Sequence, residues 1–127
     1  MARFLWVCLA GGVGTGARYL LSGWVQRRLG SLFPFGTLAV NLAGCFLLGV
    51  VMQISLSTRL LPADVRIVVA IGLLAGFTTY STFNYETIIF FREGAWALGL
   101  ATVCVTVIGC LAAGFAGIAG ARWLIGN

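Results

Sequence analysis

The amino-acid sequence predicts an all-α membrane protein of four transmembrane helices, on three observations. Hydrophobic residues make up 61% of the chain and charged residues 9%, against about a quarter charged in an ordinary soluble domain. Four stretches, about 4–25, 36–57, 67–91 and 94–121, each reach the roughly 20 apolar residues that a bilayer core requires. The connecting segments are short and hold most of the charge, so residues 1–127 read as a single transmembrane domain with the lipid bilayer as its main solvent.

In the first span, Arg3 precedes an apolar run with small residues near Leu9-Ala10-Gly11, a pattern shared with secretory signals. Three further spans make a retained first helix the simpler expectation. Gly12 to Ala17 fits the G-x-G-x-x-G/A dinucleotide fingerprint. That reading fails for want of a βαβ context and of an acid about 20 residues on, the next acid being Asp64. Gly12 and Gly16 are instead expected to pack helices closely, as are Gly109, Ala113 and Gly117 in the fourth span. Arg18 follows about fourteen apolar residues and needs a partner or a water-filled vestibule; it either snorkels toward the span's end or attracts anions.

Thr37, Asn41 and Cys45 recur every fourth residue in the second span and share a face. The Asn41 amide offers two N–H donors to an anion shedding its water, or else bonds a neighbouring helix. Thr102, Thr106 and Cys110 draw a similar weakly polar stripe on the fourth span, where threonine hydroxyls also bond back to their own helix.

The third span differs from the others. Ala75 to Asn84 packs Thr78, Thr79, Ser81 and Thr82 with a glycine, three aromatics and an amide into membrane depth. The helix is predicted to break near 75–83, because irregular backbone is tolerated there only where it is buried or lines a cavity, and its freed groups then become ion ligands. Freed carbonyls suit cations; N–H groups, hydroxyls and ring edges suit anions. Tyr80 and Phe83 could present positive ring edges to a small anion, holding it weakly enough to let it leave. Core-filling aromatics with capping hydroxyls are the competing reading. Glu86, the only acid inside a span, is a proton carrier, an interfacial residue or an orienting acceptor for nearby hydroxyls, and the last is favoured.

Cys8, Cys45, Cys104 and Cys110 lie in apolar stretches without CxxC spacing, so packing is their default role. The net charge of +5 comes from arginines spread along span ends, which argues against nucleic-acid binding. Four spans place Arg3, Arg59, Arg66 and Arg122 on one side and Arg27, Arg28 and Arg92 on the other, too even to fix an orientation. Insertion both ways is expected, with an antiparallel, dual-topology homodimer about a two-fold axis in the membrane plane.

The segments Gly16-Ala17-Arg18-Tyr19, Gly36 to Asn41, Gly76 to Phe83 followed by Glu86, and Val107-Ile108-Gly109 resemble those of the fluoride channel family called Fluc or CrcB, over essentially the whole chain. The resemblance implies an antiparallel dimer in the bacterial inner membrane with two fluoride pores, a central structural Na⁺ and passive, fluoride-selective export. It places Asn41, Tyr80 and Phe83 along the ion path with Ser81, Thr82, Thr37, Thr106 and Cys110, and gives Na⁺ the main-chain carbonyls of Ala75 and Thr78. Arg18 and Glu86 fall to vestibule or orienting roles. Tyr80 departs from the usual Phe, Ala75 from Gly, and Cys110 from Ser.

A proton-coupled four-span exporter is the alternative. Such transporters rely on a buried Glu in the first helix, where this chain carries Arg18, leaving Glu86 as the only relay. A scaffold subunit leaves the polar break unexplained. No nucleophile and base pair suggests an enzyme.

Overall fold

The computed structural model describes residues 1–58 and 61–126. Arg59, one of the arginines weighed for orientation, lies outside them. Helix α1 spans Ala2–Leu29 and α2 spans Phe35–Ser57. The third crossing is a composite of α3 (Ala63–Ile67), a π-helical stretch Val68–Leu74, a short α4 (Ala75–Phe77) and α5 (Tyr80–Arg92). Helix α6, Trp96–Ile125, completes an all-helical fold with four helices long and apolar enough to cross a membrane.

Several crossings outrun the expected spans. The 28 residues of α1 measure about 42 Å at 1.5 Å per residue, so its Gln26 to Arg28 end reaches past the hydrocarbon into the polar interface. Gln26 stops the chain there: its amide donates to the carbonyls of Gly30 (2.6 Å) and Phe33 (2.9 Å), and its Oε1 accepts from the Gly36 N–H at 2.8 Å. One side chain therefore satisfies three main-chain groups of the α1–α2 link, including a donor in the first turn of α2. The third crossing starts at Ala63 because Pro62 stands at its N-cap, where a proline's missing N–H costs nothing. Between α5 and α6 the chain reverses through Gly94 at φ 75°, a left-handed conformation that glycine adopts without a Cβ penalty.

Glycines set the packing, though not all of those expected. A Cβ on Gly14 would lie 2.1 Å from the Leu73 carbonyl oxygen, one on Gly76 2.7 Å from the Gly11 carbonyl oxygen, and one on Gly72 2.9 Å from that of Val7. Helix α1 thus crosses the third span backbone to backbone through Gly14, Gly72 and Gly76. Gly12 and Gly16 have nothing within 4 Å among the described residues, so within one chain the close approach falls to Gly14 instead. They sit on a different side of α1 from the face that Gly11 and Gly14 present. In the fourth span the ladder does pack: a Cβ on Gly117 would lie 2.2 Å from the Phe46 carbonyl oxygen, and one on Gly109 3.0 Å from Leu42.

Large apolar side chains such as Phe4, Leu9, Leu20, Ile108, Phe115 and Leu124 point outward. In water such a surface would be untenable; in lipid it is the expected exterior.

Candidate functional site: a broken third span and two cavities

The helix of the third crossing ends at Phe77 and restarts at Tyr80, with Thr78 (φ −83°, ψ 160°) and Thr79 (φ −149°, ψ 110°) extended between them. Extended residues cannot keep the i to i−4 ladder, so their polar groups need other partners. Asn41 of α2 supplies them. Its Nδ2 donates to the Thr79 carbonyl at 3.0 Å, and its Oδ1 accepts the Thr79 N–H at 2.8 Å. Of the two donors predicted for an anion, one is therefore committed to the main chain and one remains.

Thr79 then caps α5. Its hydroxyl oxygen accepts the Thr82 N–H at 3.3 Å and its hydroxyl donates to the Thr82 Oγ1 at 2.9 Å, with Ser81 Oγ 3.5 Å away. A threonine just before a helix is a recognised N-cap, yet Thr79 was absent from the residues expected to serve the site. The signal was present in the sequence and was masked by neighbouring hydroxyls.

These diversions release carbonyls. In a continuing helix the Thr79 N–H would bond the Ala75 carbonyl and the Thr82 N–H the Thr78 carbonyl; both are directed elsewhere. The Thr78 carbonyl has Arg18 Nη1 at 3.5 Å, and the Gly76 carbonyl has the Thr15 hydroxyl at 3.4 Å. Both contacts are long and weak. Arg18 is thus half-buried and turned toward the break rather than toward Arg27. Gly44 makes room for this corner, since a Cβ there would fall 2.1 Å from the Thr78 methyl.

Two cavities flank the break. The first, about 260 Å³, is lined by Asn41, Cys45, Thr78, Thr79, Tyr80, Phe83, Thr106, Val107 and Cys110. It joins α2, the third crossing and α6, and gathers five of the eight residues expected along the ion path. The Tyr80 and Phe83 rings are 5.7 Å apart and inclined at 60°, an edge-biased arrangement. Their settings differ: Phe83 is 8% exposed and Tyr80 76%. Phe83 is the ring held in the protein, while Tyr80 borders the cavity from outside.

The second cavity, about 250 Å³, is lined by Thr15, Arg18, Tyr19, Ser22, Thr37, Val40, Thr79 and Thr82. The Thr37 hydroxyl in it donates to Glu86 Oε1 at 2.9 Å, while Glu86 Oε2 is buried without a partner among the described residues. Thr79 lines both cavities and is the wall between them. Ser81 lines neither, and Ala75 is exposed. In α6 the Thr102 hydroxyl bonds back to the Leu98 carbonyl at 2.8 Å, which removes it from any polar path.

Fold and site define a small multi-pass membrane protein with a polar, interrupted span between two cavities. The chain belongs to the CrcB family: residues 5–118 match the profile described as "CrcB-like protein, Camphor Resistance (CrcB)". Similar curated proteins include one of Anaeromyxobacter dehalogenans, 51% identical over 99% of this chain and 100% of its own length. Another, of Sorangium cellulosum, is 49% identical over 98% of both chains. A third, of Geobacter metallireducens, is 44% identical over 98% of this chain and all of its own. Each bears the name "Fluoride-specific ion channel FluC".

Proposed function

We propose that this chain is a fluoride-selective channel that lets fluoride leave the cell passively across the bacterial inner membrane. The observation that carries the reading is the cavity that joins Asn41, Phe83 and Thr106 from three different spans beside a break in the third. A remaining Asn41 N–H, the Thr106 hydroxyl and the Phe83 ring edge offer several weak, uncharged contacts, so a dehydrated anion is stabilised without being trapped. Among the described residues no arginine lines that cavity. Arg18 stands in the neighbouring one, where it raises the local anion concentration and leaves the narrow path free of a fixed charge. Thr37, anchored on Glu86, and Thr82 line the same approach. The relatives' shared name supports fluoride as the ion.

The working unit is an antiparallel homodimer with two pores. The near balance of arginines supports it, as does the face of α1 that keeps Gly12, Gly16 and Val13 open. Na⁺ is its structural ion. The Ala75 and Thr78 carbonyls are hard oxygen donors released from the helix, and they fit such a cation, as carbonyls of unwound spans do. Na⁺ held by these carbonyls would supply a fixed positive charge beside the break.

Purified protein in liposomes tests the reading. Rapid, electrogenic fluoride efflux without a proton gradient is expected, and Glu86→Gln should not impose or remove proton coupling. Efflux that requires a proton gradient and is lost in Glu86→Gln would favour the exporter instead.

A further inference from the structure

Gly49 and Gly114 bring the backbones of α2 and α6 so close that a Cβ on Gly49 would lie 2.4 Å from the Gly114 carbonyl oxygen. The two helices run parallel, since Gly109 meets Leu42 while Gly117 meets Phe46 and Val50. One turn before each of the touching glycines stand Cys45 and Cys110, which therefore face each other. Neither is in a disulfide. Both border the cavity that holds Asn41, Phe83 and Thr106, and both border the apolar groove on its outer side.

Thiolates are soft ligands that select soft metals. No third His, Cys, Asp or Glu joins the pair among the described residues, so zinc's tetrahedral set is not available. Two opposed thiols suit a linear, two-coordinate ion. With a divalent ion the bis-thiolate is neutral, which matters at membrane depth because a net charge there would carry a large desolvation cost.

We propose that Cys45 and Cys110 form a dithiol site for a thiophilic, two-coordinate divalent metal ion, and that its occupation closes the adjacent cavity to anions. Two S–H bonds break and two S–metal bonds form, two protons pass to water, and no oxidation state changes. The bound ion pins α2 to α6 beside Thr106. The closing role rests on the channel reading; the binding does not.

Hg²⁺ is the probe, in a Cys8→Ala/Cys104→Ala background that removes the two exposed thiols. Protein loaded with Hg²⁺ is challenged with excess 2-mercaptoethanol, desalted, and its metal measured by mass spectrometry. We expect one mercury per chain to be retained in the background protein and lost from Cys45→Ala, Cys110→Ala and the size-conserving Cys45→Ser. The second, intramolecular thiolate should slow exchange about a hundredfold relative to a single thiol. Equal retention in all variants, or equal loss from all, overturns the site. In liposomes Hg²⁺ followed by the same 2-mercaptoethanol challenge should abolish fluoride efflux by the background protein and leave Cys45→Ala at its own untreated rate. Metal retained with efflux unchanged overturns the closing role. A background protein that passes no fluoride before mercury is added refutes the channel reading, and retention then decides the site by itself.

Discussion

The Asn41 carboxamide replaces, across a gap, the two main-chain bonds that Thr79 gives up by being extended. This double use dictates what a substitution does. Asn41→Asp keeps the acceptor for the Thr79 N–H but sets a second acceptor against the Thr79 carbonyl, at a cost of about 1–3 kcal/mol. It also brings a negative charge into the cavity proposed to take the anion. Fluoride efflux from liposomes should fall to background, while size-exclusion chromatography shows an unchanged oligomer. Undiminished efflux would remove Asn41 from the path. Phe83→Ile keeps roughly the same volume and loses the ring edge, so efflux should fall strongly with little change in thermal stability. Asn41 and Phe83 were legible because polar and aromatic residues at membrane depth demand a reason. Thr79 was not, since its neighbours carry the same hydroxyl and only the backbone shows which one caps the helix.

Composition forecast the break in the third crossing but not the π-helical stretch before it. Val68 to Leu74 is uniformly apolar and offers no sequence cue for an altered hydrogen-bond period. The reason lies in packing: Gly72 and Leu73 of this stretch meet α1 at Val7, Ala10 and Gly14. Glycine spacing suggested close helix approach, but choosing among Gly11, Gly12, Gly14 and Gly16 requires knowing which side of α1 faces the third crossing. Gly14→Ala tests the contact. Its methyl would meet main-chain atoms of Leu73 and Phe77, which cannot turn aside as a side chain does. A loss of about 1–3 kcal/mol is expected, read as a lower temperature of aggregation in detergent. Gly12→Ala, with nothing within 4 Å in the chain, should leave the fold of each subunit intact. A Gly14→Ala protein as stable as the unmodified one would remove Gly14 from the packing.

The four crossings put Arg3, Arg66 and Arg122 at one end of the bundle and Arg27, Arg28 and Arg92 at the other. Arg3 Nη2 meets Asp64 Oδ1 at 2.5 Å, which ties the start of α1 to the start of the third crossing. Both side chains are more than half exposed, so the pair adds little stability, and its consequence is for topology instead. Asp64 partly offsets Arg3 and Arg66 at that end, while Glu93 beside Arg92 does the same at the other. Neither end gathers the excess of cations that normally fixes an orientation. A chain inserting both ways can pair with an inverted copy of itself, which would bring two interrupted third spans, each with its exposed Ala75, toward a common centre. A cysteine-reactive, membrane-impermeant label on a C-terminal tag, in a variant free of native cysteines, should therefore reach about half of the chains from each side of the membrane. Labelling from one side alone would exclude the antiparallel pair. Adding two arginines to the link between α1 and α2 should shift the labelling toward one side and reduce efflux together, because a single orientation leaves no inverted partner.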